Sequence, residues 1–304
     1  MAVRFRSRRV GAKSFGVNAA NPPDPLAPDP RAPDAAGPQA PASEKREFPF
    51  WLLIVALIGA LLGLGIASSE VYAGVFRLVS QGIAITLFVT AVAFALASLA
   101  GLGLALMLVS GRTWVRQTAR TYVEIVRGVP ILVLLFYVAF VGAPALVTLL
   151  NWLGSPLTGG EDWLRTRDLS LLWRAILALT IGYSAFLAEV FRAGLQSVER
   201  GQIEAAMALG LTPWQRFRRI VLPQAIRTVL PPLGNDFVAM VKDSSLVSVL
   251  GVADITQLGK VYASSSFRFF ETYSIVAYIY LVLTISLSLG VRAIEKRMRR
   301  EPRG

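Results

Sequence analysis

The sequence contains neither cysteine nor histidine among its 304 residues. The missing cysteine excludes disulfides and thiol chemistry, and the two absences together exclude the usual ligand sets of zinc. The lack of histidine also removes one common general base. No GxxxxGK(S/T) phosphate-binding loop occurs, so the chain is not expected to hydrolyse ATP. We therefore predict a non-catalytic protein that holds no metal and no cofactor of its own.

Charged residues are also scarce. They make up 16% of the chain, whereas hydrophobic residues make up 54% and the mean hydropathy is +0.56. This composition is typical of a polytopic membrane protein and not of a soluble domain. The formal charge of +12 would suit a nucleic-acid partner, but the basic residues cluster beside apolar segments. That arrangement indicates contact with anionic membrane lipids, and no nucleic-acid partner is expected.

Residues 1–49 differ in composition from the rest of the chain. A basic start is followed by a run rich in proline and alanine, which has too few large apolar side chains to offset the entropy lost on folding. We predict a disordered cytoplasmic tail that acts as a spacer, with partner binding as the alternative. A signal peptide is not expected, because roughly forty residues separate the basic start from the first apolar run. Residues 298–304 are predicted to form a short second cytoplasmic tail.

Six membrane spans are predicted, which makes the fold class an all-α polytopic membrane protein. Runs of about twenty apolar residues define most of them. The fifth would be missed by hydropathy alone because it carries several polar residues. In the second, Gly101 and Gly103 are expected to permit close contact with another helix. The predicted spans are Phe50 to Ser68, Gly82 to Val109, Val129 to Leu150, Leu171 to Val190, Arg227 to Leu250 and Thr272 to Val291.

The basic residues between the spans predict the orientation. Of the 31 lysines and arginines, 24 fall on one side of the predicted membrane and 6 on the other, and Lys242 lies within a span. Because cytoplasmic loops carry the excess of basic residues, both termini and the loop around Glu204 are predicted to be cytoplasmic.

A long polar interval, Gly194 to Leu233, lies between the fourth and fifth spans. We predict two short helices in it. The first has Ser197 as its N-cap and runs to Leu209. Gly210 follows, and glycine readily takes the left-handed conformation that closes a helix.

The second short helix is predicted from its capping residues. Thr212 is the N-cap, Pro213 is the first helical residue, and Gln215 stands where a capping box requires it. This helix should stop before Pro223, because proline inside a helix removes a hydrogen bond.

Two adjacent alanines, Ala205 and Ala206, would let another protein surface approach the first short helix closely. A well-capped solvated loop would explain the same features. The pattern, however, resembles the EAA loop of ABC importer permeases, which docks into a groove of the ATPase subunit. The resemblance implies a cytoplasmic coupling loop at about 194–226. Its matching positions are Glu204, Ala205, Ala206, Gly210, Ile220, Leu222 and Pro223.

The fifth span carries polar residues that are costly in hydrocarbon and usually face a protein interior or an aqueous path. Residues seven apart fall on nearly one helical face, so an acid and a base would line one surface suited to a zwitterionic solute. The alternative is that Lys242 pairs with an acid and only fixes helix packing. The candidate pathway residues are Asn235, Asp236, Lys242, Asp243, Ser244 and Ser245.

Three runs resemble the polar amino acid branch of ABC importer permeases: RGVPILV from Arg127, AEVFRAGLQSVERGQIEAA from Ala188, and GNDFVAMVKDSSLVSVLGVADI from Gly234. The resemblance implies a five-helix permease core within residues 81–297. Residues 50–80 would then form an additional N-terminal span and a short periplasmic link.

The same resemblance implies the partners. Members of this branch pair two permease subunits with two ATPases, which bind ATP and magnesium, and receive solute from a periplasmic amino acid-binding protein. The chain would then be a multi-pass protein of the bacterial inner membrane. A secondary transporter or channel for a small polar solute is the alternative, although it would have no use for a paired-helix cytoplasmic loop.

Two further groups of residues have simpler explanations. Arg127, Gly128 and Pro130 are interpreted as the start of the third span, with proline in its first turn, and gating is the alternative. Glu189 and Arg192 are expected to form an interfacial ion pair at the end of the fourth span.

Overall fold

The computed structural model describes residues 50–158 and 164–299. Within these ranges every regular element is helical. The predicted N-terminal tail and residues 300–304 lie outside the described residues, whereas residues 298 and 299, predicted as part of the second tail, belong to the last helix. The first half contains α1 (Phe50–Ser68), α2 (Glu70–Ser80), α3 (Gly82–Leu108), α4 (Thr113–Gly128), α5 (Ile131–Tyr137), a π-helical segment (Val138–Gly142) and α6 (Ala143–Thr158).

The second half continues in the same way after a short 3-10 turn (Thr166–Asp168). It contains α7 (Leu171–Gln196), α8 (Arg200–Ala208), α9 (Pro213–Arg216), a π-helical segment (Phe217–Val221), α10 (Leu222–Asp243), a 3-10 segment (Ser244–Leu250), α11 (Ile255–Ser266) and α12 (Phe269–Arg299). The prediction of an all-α membrane fold is confirmed.

Each predicted span coincides with a helix or a run of helices. The first agrees with α1 at both ends, and the second and fourth begin where α3 and α7 begin. Within the described residues, four helical segments are long and apolar enough to cross a membrane: Glu70–Leu108, Ile131–Pro156, Leu171–Gln196 and Phe269–Arg297. The helix α10 does not meet that criterion, as expected for a span that hydropathy misses.

The third and fifth spans differ from their predicted bounds. The third begins at Ile131 and continues to Thr158, with the π-helical segment in its middle. The fifth begins at Leu222, five residues before the predicted Arg227, because α10 continues directly from the preceding π-helical segment. Its last part is wound as a 3-10 helix and not as an α-helix.

Helices α3 and α7 form the centre of the fold. A Cβ atom on Gly101 would lie 2.9 Å from Leu187 Cβ and 3.0 Å from the Ser184 carbonyl oxygen. Only glycine permits this approach of the two backbones, so the predicted role of Gly101 is confirmed. The expectation for Gly103 is wrong within the described part of the chain, where no atom lies within 4 Å of its Cβ position.

Three helices were not expected from the sequence: α2, α4 and α11. Helix α4 is amphipathic, with Ala119, Val123 and Val126 buried and charged side chains elsewhere. Such a helix has too little apolar sequence to be recognised as a span, and it lies along the protein surface. The expected loop from Ser110 to Gly128 is therefore mostly helical.

Candidate functional site: the loop between α7 and α10 and the polar end of α10

The turn after α8 has the geometry predicted for Gly210. This residue has φ +74°, in the left-handed region. The amide of Gly210 donates to the Met207 carbonyl at 2.9 Å, and the amide of Leu211 donates to the Ala206 carbonyl at 3.1 Å. These two bonds form a Schellman motif, which ends α8 and fixes the direction of the following chain.

The predicted capping box is present at the start of α9. The Gln215 amide donates to Thr212 Oγ1 at 3.3 Å, and the Thr212 amide donates to Gln215 Oε1 at 2.9 Å. Pro213 occupies the first turn, where its missing amide hydrogen costs no helical bond.

Two expectations for this loop are wrong. Ser197 does not begin α8: it caps the end of α7, with its hydroxyl donating to the Gly194 carbonyl at 2.8 Å, and Glu199 precedes α8 instead. The helix after Thr212 does not stop before Pro223. Pro223 comes just after the π-helical segment, which already departs from the α-helical hydrogen-bond pattern, and α9, this segment and α10 follow one another without a break.

The exposed side of the loop is partly apolar. Glu204 and Ala205 are exposed, whereas Ala206 is buried against the rest of the chain. The two alanines therefore do not act as a pair at the surface. Ile220 and Leu222 are half-buried, and Pro223 is exposed. The large apolar side chains that reach solvent are Met207 (50% exposed), Leu209 (80%) and Trp214 (66%).

Hydrogen bonds connect the loop to the fifth span. Gln224 on α10 donates to Gln202 on α8 at 2.7 Å. The hydroxyls of Ser197 and Thr228 lie 3.2 Å apart, which joins the end of α7 to α10. The loop is therefore joined to α10 through side chains as well as through the backbone.

The polar residues of α10 have different surroundings. Asn235 and Lys242 are exposed, and Asp236 and Asp243 are half-buried. No ion pair to Lys242 exists within the described residues. The alternative in which it pairs with an acid of the same chain therefore finds no partner there.

Asp243 is held by a residue that sequence reasoning missed. The Tyr183 hydroxyl of α7 donates to Asp243 Oδ2 at 2.7 Å. Asp236 and Asp243 both lie on α10, where their seven-residue spacing puts them on nearly the same helical face. Tyr183 and Asp243 are 60 residues apart in the chain, and only the polar run Gly182 to Ser184 inside an apolar span could have drawn attention to the tyrosine.

The two serines after Asp243 belong to the 3-10 segment. Ser244 is buried, and its hydroxyl donates to the Val241 carbonyl at 2.7 Å. The Ser244 hydroxyl therefore already donates to the backbone three residues earlier. This is contrary to the expectation that Ser244 adds to the polar surface. Ser245 is half-buried.

The interpretation of Arg127 and Gly128 as the start of the third span is wrong. Both belong to the end of α4, and Pro130 immediately precedes α5. Residue 129 is extended, as is usual before proline, so the chain cannot remain helical from α4 into α5. The Arg127 guanidinium lies 5.5 Å from the centre of the Phe186 ring on α7.

The expected ion pair between Glu189 and Arg192 is confirmed. Arg192 donates through two nitrogens to the same Glu189 oxygen, at 2.6 and 2.8 Å, and a third donor reaches Gln196 Oε1 at 2.6 Å. The Glu189–Arg192 pair lies near the C-terminal end of α7, where the chain leads into the α8–α9 loop.

The described residues thus form a helical membrane fold in which a capped two-helix loop is continuous with a polar span. Residues 93–300 match the family described as "Binding-protein-dependent transport system inner membrane component". The chain belongs to this family.

Curated relatives agree with the family assignment. The chain is 38% identical over 223 residues to the probable amino-acid permease protein YxeN of Bacillus subtilis, which covers 73% of this chain and 92% of the relative. It is 34% identical over 227 residues to the glutamine transport system permease protein GlnP of Escherichia coli K12, which covers 73% and 93% respectively.

A solved structure also resembles this chain. The crystal structure of an amino acid ABC transporter with histidines contains a chain that is 36% identical and superposes with a TM-score of 0.61. The match covers 73% of this chain and 94% of that one. The protein described here is thus a multi-pass membrane permease subunit with the ABC importer fold.

Proposed function

We propose that this chain is the permease subunit of an importer that carries polar amino acids into the cytoplasm, driven by ATP hydrolysis on separate ATPase subunits. Curated relatives named as amino-acid or glutamine permeases support the substrate class. The observation that carries the proposal is the continuity of the α8–α9 loop with α10, which bears the polar residues Lys242 and Asp243.

The loop is the proposed contact with the ATPase. Met207, Leu209 and Trp214 offer exposed apolar surface, and Glu204 beside them offers a charge for a polar contact at the rim. Exposed apolar groups of this size on short capped helices are typical of a protein interface. In the proposed orientation this loop and both termini face the cytoplasm.

Helix α10 is the proposed lever between the ATPase and the pathway. Its 22 residues span about 33 Å, which is close to the thickness of the hydrocarbon layer. Closure of the ATPases would draw the loops of two permease subunits together and displace the two α10 helices. ATP would shift the permease between two conformations only if the contacts of the α8–α9 loop with the ATPase differ between those conformations.

At the far end of α10, Lys242 is the proposed contact for the carboxylate of the amino acid, because it is exposed and has no counter-ion in the described part of the chain. Asp243 is the proposed contact for the ammonium group, and Tyr183 holds its carboxylate in place. Asn235 and Asp236, two turns away on the same helix, would extend this polar surface.

The partners in the proposal are the ATPases, a second permease subunit and a periplasmic amino acid-binding protein. The test is reconstitution of the complex in proteoliposomes. We expect ATP hydrolysis to be stimulated by the binding protein only when it carries its amino acid. Uptake by the lone chain, driven by an ion gradient without ATP, would contradict the proposal and favour a secondary transporter.

A further inference from the structure

A cleft of about 440 Å³ lies between α4 and α7, outside the loop and the polar end of α10. Four arginines and two glutamates contribute to its walls, so its formal charge is +2. The charged residues that line it are Arg116, Arg120, Arg127, Arg192, Glu124 and Glu189. We call this set the arginine cleft.

The charges of the arginine cleft are only partly balanced within the chain. Arg192 is paired with Glu189 at 2.6 Å. Arg116 donates to the Ser110 carbonyl at 3.4 Å, which is a long hydrogen bond. Among residues 50–158 and 164–299, neither Arg120 nor Glu124 has a hydrogen bond or ion pair. The cleft therefore has donors available for an anion.

A second pocket, of about 460 Å³, adjoins the arginine cleft. The two have Leu108, Arg116 and Gln196 in common. The rest of the second pocket is mainly apolar and is formed by the ends of α3 and α7 together with the π-helical segment before α10. Its apolar lining residues are Leu106, Leu108, Val109, Leu195, Phe217 and Val221.

A positively charged cleft beside an apolar pocket suits an amphiphilic ligand better than it suits a free anion. Free phosphate would use the arginines but would leave the apolar walls in water. An anionic phospholipid would place its headgroup phosphate against the arginines and part of an acyl chain against the leucines.

The position of α4 agrees with this assignment. It is amphipathic, and Trp114 near its start is 88% exposed, as is common for aromatic residues at the membrane–water interface. In the orientation proposed above, α4 lies at the cytoplasmic leaflet. We infer that the arginine cleft and its apolar neighbour form a binding site for one anionic phospholipid of that leaflet.

The test uses the full-length chain purified in detergent and native mass spectrometry. Phosphatidylglycerol and phosphatidylcholine with the same acyl chains are titrated in parallel. We expect the chain to retain phosphatidylglycerol preferentially. Arg120→Gln should weaken its binding about fivefold, and Arg116→Gln with Arg120→Gln roughly 25-fold, since each basic residue near a membrane surface contributes about a fivefold factor.

The matched control is Arg292→Gln with Lys296→Gln on α12, which removes the same charge from exposed positions outside the cleft. Equal weakening in this control and in the cleft variant would overturn the site, as would equal retention of both lipids. Inorganic phosphate is added in a separate arm. Displacement of the lipid by millimolar phosphate would assign the cleft to a free anion instead.

The orientation, on which the choice of leaflet rests, is tested separately. Because the chain has no cysteine, Gln117→Cys at an exposed position of α4 reports which side of the membrane reacts with an impermeant maleimide. Labelling from outside would refute the proposed orientation and the leaflet. Lipid retention in detergent tests the site itself.

Discussion

The turn at Gly210 allows the coupling proposal to be tested with one substitution. We predict that Gly210→Val uncouples amino acid uptake from ATP hydrolysis while the protein remains folded in the membrane. The residue has φ +74°, and a Cβ atom built there would meet no atom of the described residues within 4 Å. Valine would therefore cause no collision, and its effect would come from the backbone conformation alone.

The size of the effect follows from this geometry. A non-glycine residue held in the left-handed region costs about 1–3 kcal/mol, and a β-branched residue lies at the upper end of that range. This corresponds to about a 5- to 150-fold shift between two conformations of the turn. The turn can release the strain by abandoning the Schellman bonds of Gly210 and Leu211, which would change the direction of the chain between α8 and α9.

The assay is the number of amino acids transported for each ATP hydrolysed in proteoliposomes. Gly201→Val is the matched control, because Gly201 lies within α8 at an ordinary helical φ and its Cβ position is also open. Gly210→Asn is the second control, since asparagine tolerates the left-handed region. A wild-type transport ratio in Gly210→Val, with the controls active, would refute the argument.

Three other predictions follow from the site and the packing. Tyr183→Phe should raise the KM of uptake by about tenfold or more, because a hydrogen bond to a charged group contributes about 1.5–3 kcal/mol and Asp243 would lose it; unchanged uptake kinetics would contradict this role. Lys242→Met should abolish ATP-driven uptake while Lys242→Arg retains part of it, measured with radiolabelled amino acid; equal activity of the two would exclude a role for the charge. Gly101→Ala should lower the thermal unfolding midpoint, because overpacking costs about 1–3 kcal/mol, whereas Gly103→Ala should leave it unchanged. Equal midpoints for the two alanine variants would show that the α3–α7 contact tolerates a methyl group.

Local sequence signals predicted much of the fold. The boundaries of α1 and the beginnings of α3 and α7 followed from long apolar runs, which need no tertiary information. The capping box of Thr212 and Gln215 and the left-handed Gly210 were predictable because caps depend on residues within one turn. The structure confirmed each of these local predictions.

Other features depend on packing that one sequence does not display. The contact between Tyr183 and Asp243 joins two helices, and nothing local to either residue specifies it. Proline inside a helix usually ends or kinks it, so the sequence does not predict the continuation of helix through Pro223, which follows a π-helical segment. Helix α4 was missed because its apolar face is narrow and its exposed face is highly charged.

The chain that follows α10 and its 3-10 segment is held by a buried network. Asp254 accepts hydrogen bonds from the Gln257 amide at 2.8 Å and from the Tyr280 hydroxyl at 3.2 Å, and the Ile255 amide donates to Thr86 at 3.4 Å. These bonds attach the start of α11 to α3 and α12.

Helix α10 is held at Asp243 by the hydrogen bond from Tyr183, and at its other end it continues from the α8–α9 loop. Between the two ends, Pro231 and Pro232 lack the amide hydrogens that would stiffen the helix. A displacement of the α8–α9 loop would bend α10 at this proline pair, and Asp243, which Tyr183 holds beyond the bend, would move less than the residues next to the loop.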